Sequence, residues 1–243
     1  MNKIITPKTR MMVFDMAGTV INEGGLVYKM LYQTLDQFNV FVCEKEIKEW
    51  HGKNKYEALD YFLQRSLVKN GANFQDKKYK LSELEMGEFQ FLRPTLHHIF
   101  DKNLKDVYFS KNTIKFIDDK LPSLFCKIRE NNIKIALNSG YSKDIQERII
   151  HNLHFKELID DYISSDVVQK GRPEPYMINA LIRRNDILSP EHVIKFGDTQ
   201  NDILEGHNAR CQESIGVLSG AGNKEDFESV GATRIIDSVM KID

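Results

Sequence analysis

Four polar runs in this 243-residue chain carry side chains suited to moving a phosphoryl group. They are Asp15-Met16-Ala17-Gly18-Thr19, Asn138-Ser139-Gly140-Tyr141, Lys170-Gly171-Arg172-Pro173 and Gly197-Asp198-Thr199-Gln200-Asn201-Asp202. Each alone has an ordinary reading: a turn cap, a strand-to-helix loop, a helix entry, or acids placed at a helix start where the macrodipole favours them. Read as a set, they assemble a reaction. Asp15 is a carboxylate nucleophile able to form an aspartyl phosphate. Asp15 and Asp198, with the backbone carbonyl of Ala17, offer the oxygen ligands that a hard ion such as Mg²⁺ prefers, and Asp202 would complete its shell or orient its waters. The ion lets an anionic carboxylate approach an anionic phosphorus. The Ser139 hydroxyl and Gly140 N–H, at a helix entrance, can bond phosphoryl oxygens. Arg172 adds a fixed positive charge for the transferring group.

The elements that must hold these residues are readable from apolar spacing. Met11 to Phe14 reads as a buried strand ending at Asp15. Further strands are predicted over Ile133–Leu137, Tyr162–Ile163, Val193–Phe196, Ser214–Val217 and Arg234–Ile236. Helices are predicted at Leu121 to Asn131, with Pro122 in the first turn, at Lys143–Leu153 with Ser142 as its cap, and at Pro175–Arg184 and Asn201–Asn208. Alternating strands and helices imply an α/β core: a parallel sheet covered on both faces, with chemistry at the C-terminal strand ends. Residues 22–108 interrupt that alternation. Leu26, Met30, Leu31, Leu35 and Phe38 fall at helical spacing; Leu59, Phe62 and Leu63 mark another helix, and Leu81, Leu84, Phe89 and Leu92 others. Gly71 to Asp76 reads as a break, and Arg93-Pro94 as a helix stop. The expected organisation is a core of 1–21 and 109–243 with a small helical cap, 22–108, inserted after the first strand.

Composition excludes other functional classes. Lys plus Arg total 34 against 35 for Asp plus Glu, a net charge of −1, which gives no electrostatic case for nucleic acid or a membrane surface as partner. No apolar run approaches the roughly 20 residues that span a bilayer. Residues 1–10 lack the pattern of a secretory signal. Cys43, Cys126 and Cys211 are scattered and odd in number, which fits a reducing cytoplasm. The expected partner is a small phosphorylated or phosphonate substrate; whether the chain forms a homodimer stays open.

The order and spacing of the four runs resemble the haloacid dehalogenase superfamily, over roughly residues 9–24 and 109–243, and the inserted helices are similar to its type C1 cap. Most phosphatases of that superfamily carry a second aspartate two residues after the nucleophile, which protonates the leaving group. Ala17 stands there instead. Alanine at that position, Gly171-Arg172-Pro173, Ser139-Gly140-Tyr141-Ser142 and Gly25-Leu26-Val27-Tyr28 resemble the phosphonatase-like branch. The resemblance implies C–P bond hydrolysis of phosphonoacetaldehyde to acetaldehyde and phosphate. It also implies a cap lysine, three residues after a glycine, that condenses with the aldehyde; Gly52 places Lys55 at that spacing. The alternative is a phosphatase of a small ester such as phosphoglycolate, in which Lys55 supplies only charge. His51, next to Gly52, reads as an exposed helix residue, Asn22 has no assigned role, and His97 and His98 have no evident partner set.

Overall fold

Four consecutive apolar residues, Met11 to Phe14, leave no polar face for solvent, and all four are fully buried. The computed structural model describes residues 3–68, 82–110 and 113–242. In chain order its elements begin β1 (Met11–Asp15), β2 (Ile21–Asn22), α1 (Leu26–Gln37), α2 (Glu44–Lys48), α3 (Lys55–Leu67) and α4 (Glu83–Lys105). There follow β3 (Lys115–Phe116), α5 (Leu121–Glu130), β4 (Lys134–Ser139), α6 (Lys143–Asn152), β5 (Asp161–Ser164) and α7 (Tyr176–Arg184). The chain ends with β6 (Val193–Gly197), α8 (Gln200–Asn208), β7 (Glu213–Val217), α9 (Lys224–Ser229) and β8 (Arg234–Ile236).

The chain divides into two compact units. One comprises Met1–Gly24, His51–Asn54 and Thr113–Asp243, the other Gly25–Trp50 and Lys55–Asn112. The first is an α/β unit whose six-stranded sheet runs β5-β4-β1-β6-β7-β8, parallel throughout. β1 therefore lies between β4 and β6, where the strand order reverses and the connections leave in opposite directions. Phe14 stacks on Phe196 at 4.7 Å and meets Phe125 at 5.1 Å, tying β1 to β6 and to the helix covering that face. Asp15 stands opposite Asn138 in the register, so the polar ends of β1 and β4 lie side by side.

The unit boundaries differ from the expected 22–108, for two physical reasons. β2 and β3 pair antiparallel, Ile21 with Phe116 and Asn22 with Lys115, which keeps both chain crossings within the α/β unit. Asn22 also accepts a bond from the Gly24 N–H, so it serves the turn. His51–Asn54 returns to the α/β unit because its carbonyls are held there: Arg172 Nη1 donates to the Gly52 oxygen at 3.0 Å and Asn201 Nδ2 to the His51 oxygen at 2.7 Å. His51 accordingly sits in a loop and not on a helix.

The second unit is helical, with α1, α3 and α4 packed together. The predicted stop at Arg93-Pro94 does not occur: α4 runs through Pro94. Ser82 starts it with a capping box to Glu85, and cross-helix bonds flank the proline. Arg93 Nε bonds both Asp60 oxygens at 3.0 and 2.9 Å, and His97 Nε2 meets Asp60 Oδ1 at 2.7 Å. His97 also stacks on Tyr56, 4.5 Å between centroids, so this histidine does have partners. Leu84, expected on an apolar face, is 81% exposed. The expected break at 71–76 and Leu81 lie outside the described residues. Among the described residues no helix is long and apolar enough to cross a membrane.

The Asp60 cluster gives a pH-dependent expectation. Burial raises the Asp60 pKa, but His97 and Arg93 outweigh it and hold the carboxyl below its ordinary value. A depressed folded-state pKa stabilises above the unfolded pKa near 3.9, and that stability is lost as pH falls through the folded value. Asp60→Asn should therefore destabilise by about 1–2 kcal/mol at pH 7, the bonds being partly solvent-screened. In thermal melts the deficit should shrink as pH falls below the ordinary carboxyl value near 3.9 and through the folded one; a deficit constant with pH contradicts the assignment.

Candidate active site

Because the sheet is parallel, the C-terminal ends of β1, β4 and β6 open on one edge, and the chain places its polar runs there. Asp15 ends β1, Ser139 ends β4, and Asp198 follows β6 directly. Arg172 lies in the loop before α7 and is buried, its guanidinium reaching into the cluster. The structure brings Asp15, Ser139, Gly140, Arg172 and Asp198 together within the α/β unit.

Arg172 is the hub. Its Nη1 forms an ion pair with Asp15 Oδ1 at 2.7 Å and also donates to the Gly52 oxygen. Its Nη2 donates to the backbone and side-chain oxygens of Asn138, and its Nε to Glu205. Every nitrogen thus has a protein partner, which fixes the charge beside the nucleophile. Burial opposes that charge, but Asp202, Asp15 and Glu205 hold it firmly protonated.

The carboxylates outnumber the cations. Asp15, Asp198, Asp202 and Glu205 face Arg172 and Lys195, all of them buried. Burial pushes Asp15 up to about 6 against the pull of Arg172, with Asp202 adding to the rise. Asp198 is driven well above its ordinary value, first by burial and then by the charges of Asp15 and Asp202. Its Oδ2 accepts one bond, from the Ala221 N–H at 2.7 Å. Gly18, at φ +75°, and Gly220 flank it; a Cβ on either would come within 2.5 and 2.1 Å of that oxygen. These glycines are what leave room for a carboxylate beside Asp15.

Asp202 has protein partners on both of its oxygens. It is the third residue of α8 and forms a capping box with Thr199, whose N–H and hydroxyl both donate to Oδ2. Lys195 Nζ takes Oδ1 at 2.8 Å, and Arg172 Nε lies 3.2 Å from it. Burial alone would raise its pKa; Arg172 and Lys195 lower it. Asp202 is thus the counter-ion of two buried cations and the cap of α8. Among the described residues no group of three or more His, Cys, Asp or Glu is placed to hold a metal. Of the expected set, Asp15 and Asp198 are carboxylates without the two-cation pairing that Asp202 has.

Ser139 Oγ accepts from the Tyr141 N–H at 3.1 Å, which orients the hydroxyl at the entrance to α6. Ser142 makes no side-chain cap bond; Asp166 instead takes the first free N–H of α6, from Lys143, at 3.1 and 3.0 Å. Gly140 is required by close approach, since a Cβ there would lie 2.4 Å from the Lys53 oxygen.

Lys55 belongs to the helical unit, where it opens α3. It is buried, and its Nζ lies 4.9 Å from the ring centroid of Tyr28 on α1. Tyr28 closes the Gly25–Tyr28 run, whose sequence alone gave it no role.

Gly52 provides a test of the loop beside this site. It sits at φ +76°, and a Cβ would come within 2.3 Å of Thr199 Oγ1. Gly52→Ala should cost roughly 1–2 kcal/mol for the backbone alone and shift Thr199, the cap of α8. It should melt lower and lose about 10–100-fold in turnover, the scale of a small misplacement near reacting groups. A wild-type melting curve would contradict this placement.

Sequence reasoning gave Lys195, Glu205 and Asn138 no role. Lys195 carried a signal: a lone cation inside the apolar run of β6, every residue of which is buried. Glu205 carried none, and Asn138 showed only as part of its polar run, because their partners are distant in sequence.

Comparison with known proteins gives the family and relatives of the chain. The model of the haloacid dehalogenase-like hydrolases matches residues 9–210. A protein of Bacteroides fragilis named phosphonoacetaldehyde hydrolase is 31% identical over 155 residues, 60% of this chain and 56% of that one. The chain spans between 33% and 56% of the length of the first curated relatives it matches. Two solved structures share the fold. One is a phosphonoacetaldehyde hydrolase-like protein from Oleispira antarctica, with TM-score 0.73 and 19% identity over 100% of this chain and 94% of that one. The other is a predicted phosphoglycolate phosphatase from Haemophilus somnus, with TM-score 0.68 and 16% identity over 95% of each.

Proposed function

This chain belongs to the haloacid dehalogenase-like hydrolases, and from that premise we propose that it hydrolyses the C–P bond of phosphonoacetaldehyde through an aspartyl phosphate at Asp15. The observation that carries this reading is Ala17: the loop after the nucleophile holds no acid to protonate a leaving oxygen. A carbon leaving group does not need one if an amine first condenses with the aldehyde.

In this reading Lys55 forms an iminium with the substrate aldehyde, releasing water. An Asp15 oxygen attacks phosphorus, and the P–C bond breaks. Its electron pair passes into the iminium, and the product leaves phosphorus as an enamine on Lys55. Hydrolysis of the tautomerised imine gives acetaldehyde and restores Lys55, while water releases phosphate from Asp15. Arg172 holds Asp15 in place and supplies fixed positive charge beside the transferring group. The Ser139 hydroxyl and the Gly140 N–H bind its oxygens.

Mg²⁺ fits the residues present. Four buried carboxylates against two cations leave the cluster short of positive charge, and Asp15 and Asp198 bear that deficit as raised pKa values. Asp15, Asp198 and the Ala17 carbonyl would hold the ion through oxygen, as a hard cation prefers. When bound, it neutralises charge between the carboxylate and the phosphoryl group. The reading further holds that the chain works in the cytoplasm on this small substrate, with neither nucleic acid nor membrane as partner.

One observation favours the alternative, a phosphatase of a small ester such as phosphoglycolate. The Tyr28 ring beneath Lys55 stabilises an ammonium, which suits a lysine that supplies charge. A phosphate-release assay of phosphonoacetaldehyde against small esters, with Mg²⁺, separates the two. Phosphonoacetaldehyde should be turned over at least about a hundredfold faster than phosphoglycolate, nearly 3 kcal/mol of discrimination. EDTA should silence the protein and Mg²⁺ restore it, and Asp198→Ala should reproduce chelation. Preference for phosphoglycolate supports the alternative; full activity in EDTA removes the metal from the account.

A further inference from the structure

Glu205 is assigned no step in the reaction described above, yet it is fully buried. Burying a carboxylate costs several kcal/mol before its partners offset it, and an apolar residue of similar volume is often as stable. Its contacts give it a specific place. Both oxygens accept from Asn138 Nδ2, at 3.0 and 2.9 Å, and Oε2 also accepts from Arg172 Nε at 2.9 Å. The Asn138 amide cannot turn over, because its Oδ1 faces two cations: Arg172 Nη2 at 2.7 Å and Lys195 Nζ at 2.8 Å.

A guanidinium is planar and rigid. Fixing Nε on Glu205 and Nη2 on Asn138 therefore fixes Nη1 as well, and Nη1 is the atom that meets Asp15 Oδ1 at 2.7 Å. We propose that Glu205 is a positioning residue: with Asn138 it sets the plane of Arg172 and, through Arg172, the orientation of the Asp15 carboxylate. The proposal rests on Asp15 being the nucleophile. It assigns Glu205 no contact with substrate.

The test is a double-mutant cycle read with trifluoroberyllate and Mg²⁺, a phosphoryl mimic that needs an aspartate oxygen and no knowledge of the substrate. Its affinity is measured by calorimetry for the wild type, Glu205→Gln, Arg172→Lys and the double variant. Glu205→Gln should weaken binding about 10–100-fold, the usual scale for removing a group that orients a ligand residue. In the Arg172→Lys background the same change should cost less than about twofold, because the path it acts through is gone. Equal losses in both backgrounds, or no loss in either, would overturn the proposal. If Glu205→Gln does not fold, Glu205→Asp enters the same cycle; it keeps the charge but draws the carboxylate back by one methylene. A wild type that binds no trifluoroberyllate overturns the nucleophile reading itself, an outcome distinct from additive losses.

Discussion

Asp15→Asn should leave less than about a thousandth of wild-type turnover on any substrate the protein accepts. The substitution keeps the shape of the side chain but replaces the anionic oxygen that must attack phosphorus. What remains is positioning by Arg172, Ser139 and Gly140, and in enzymes whose nucleophile is removed such residual catalysis is orders of magnitude below the intact level. The variant should fold. Arg172 loses one anion but keeps Asp202, Glu205 and Asn138 as partners, and a carboxyl whose pKa burial has raised to about 6 gives up less by becoming neutral than an exposed one would. Phosphate release in steady state checks the rate, and a melting curve checks the fold. Activity above about a thousandth, in a preparation free of wild type, contradicts an aspartyl phosphate.

Lys55→Arg separates the two readings of the lysine. Arginine keeps the charge and stacks well on an aromatic ring, so the contact with Tyr28 survives the change. It cannot form an imine. If Lys55 condenses with the aldehyde, C–P cleavage falls by at least about a thousandfold, since without the iminium the electron pair of the P–C bond has no acceptor. If Lys55 only supplies charge, the variant keeps activity within about tenfold of wild type on a phosphate ester, the loss expected of a charged contact slightly displaced. Phosphate release from phosphonoacetaldehyde and from phosphoglycolate, on the same preparation, reads both outcomes.

Much of the fold was legible because the sheet is parallel and buried. Its strands read as short apolar runs, and the runs end in the residues that do chemistry. Asp15, Ser139 and Asp198 share one edge for that reason, and each is found from where an apolar run stops. Arg172 was legible as a charge, but not as a clamp: its partners Asn138, Gly52 and Glu205 come from three separate segments. The capping role of Asp202 was not legible, because an acid one turn into a helix looks alike whether it faces an ion or caps the helix. Its pairing with Lys195, seven residues earlier on β6, and with Arg172 shows only in the folded chain. Pro94 misled because local preference ends a helix there, while Arg93 and His97 bind Asp60 across the helix pair and carry it through. The return of His51–Asn54 to the α/β unit had no local signal beyond Gly52, since backbone carbonyls make the bonds.

The central claim is that Lys55 bonds covalently to its substrate, and borohydride trapping tests it most directly. An exposed lysine, with a pKa near 10.4, is almost wholly protonated at neutral pH and condenses slowly with aldehydes. Borohydride added with phosphonoacetaldehyde reduces an iminium to a stable secondary amine, which peptide mass spectrometry locates. The account predicts one adduct, on Lys55, forming in step with irreversible loss of activity and absent when the aldehyde is omitted. Full activity after treatment, with Lys55 recovered unmodified, contradicts it and leaves the small-ester phosphatase as the reading of this site.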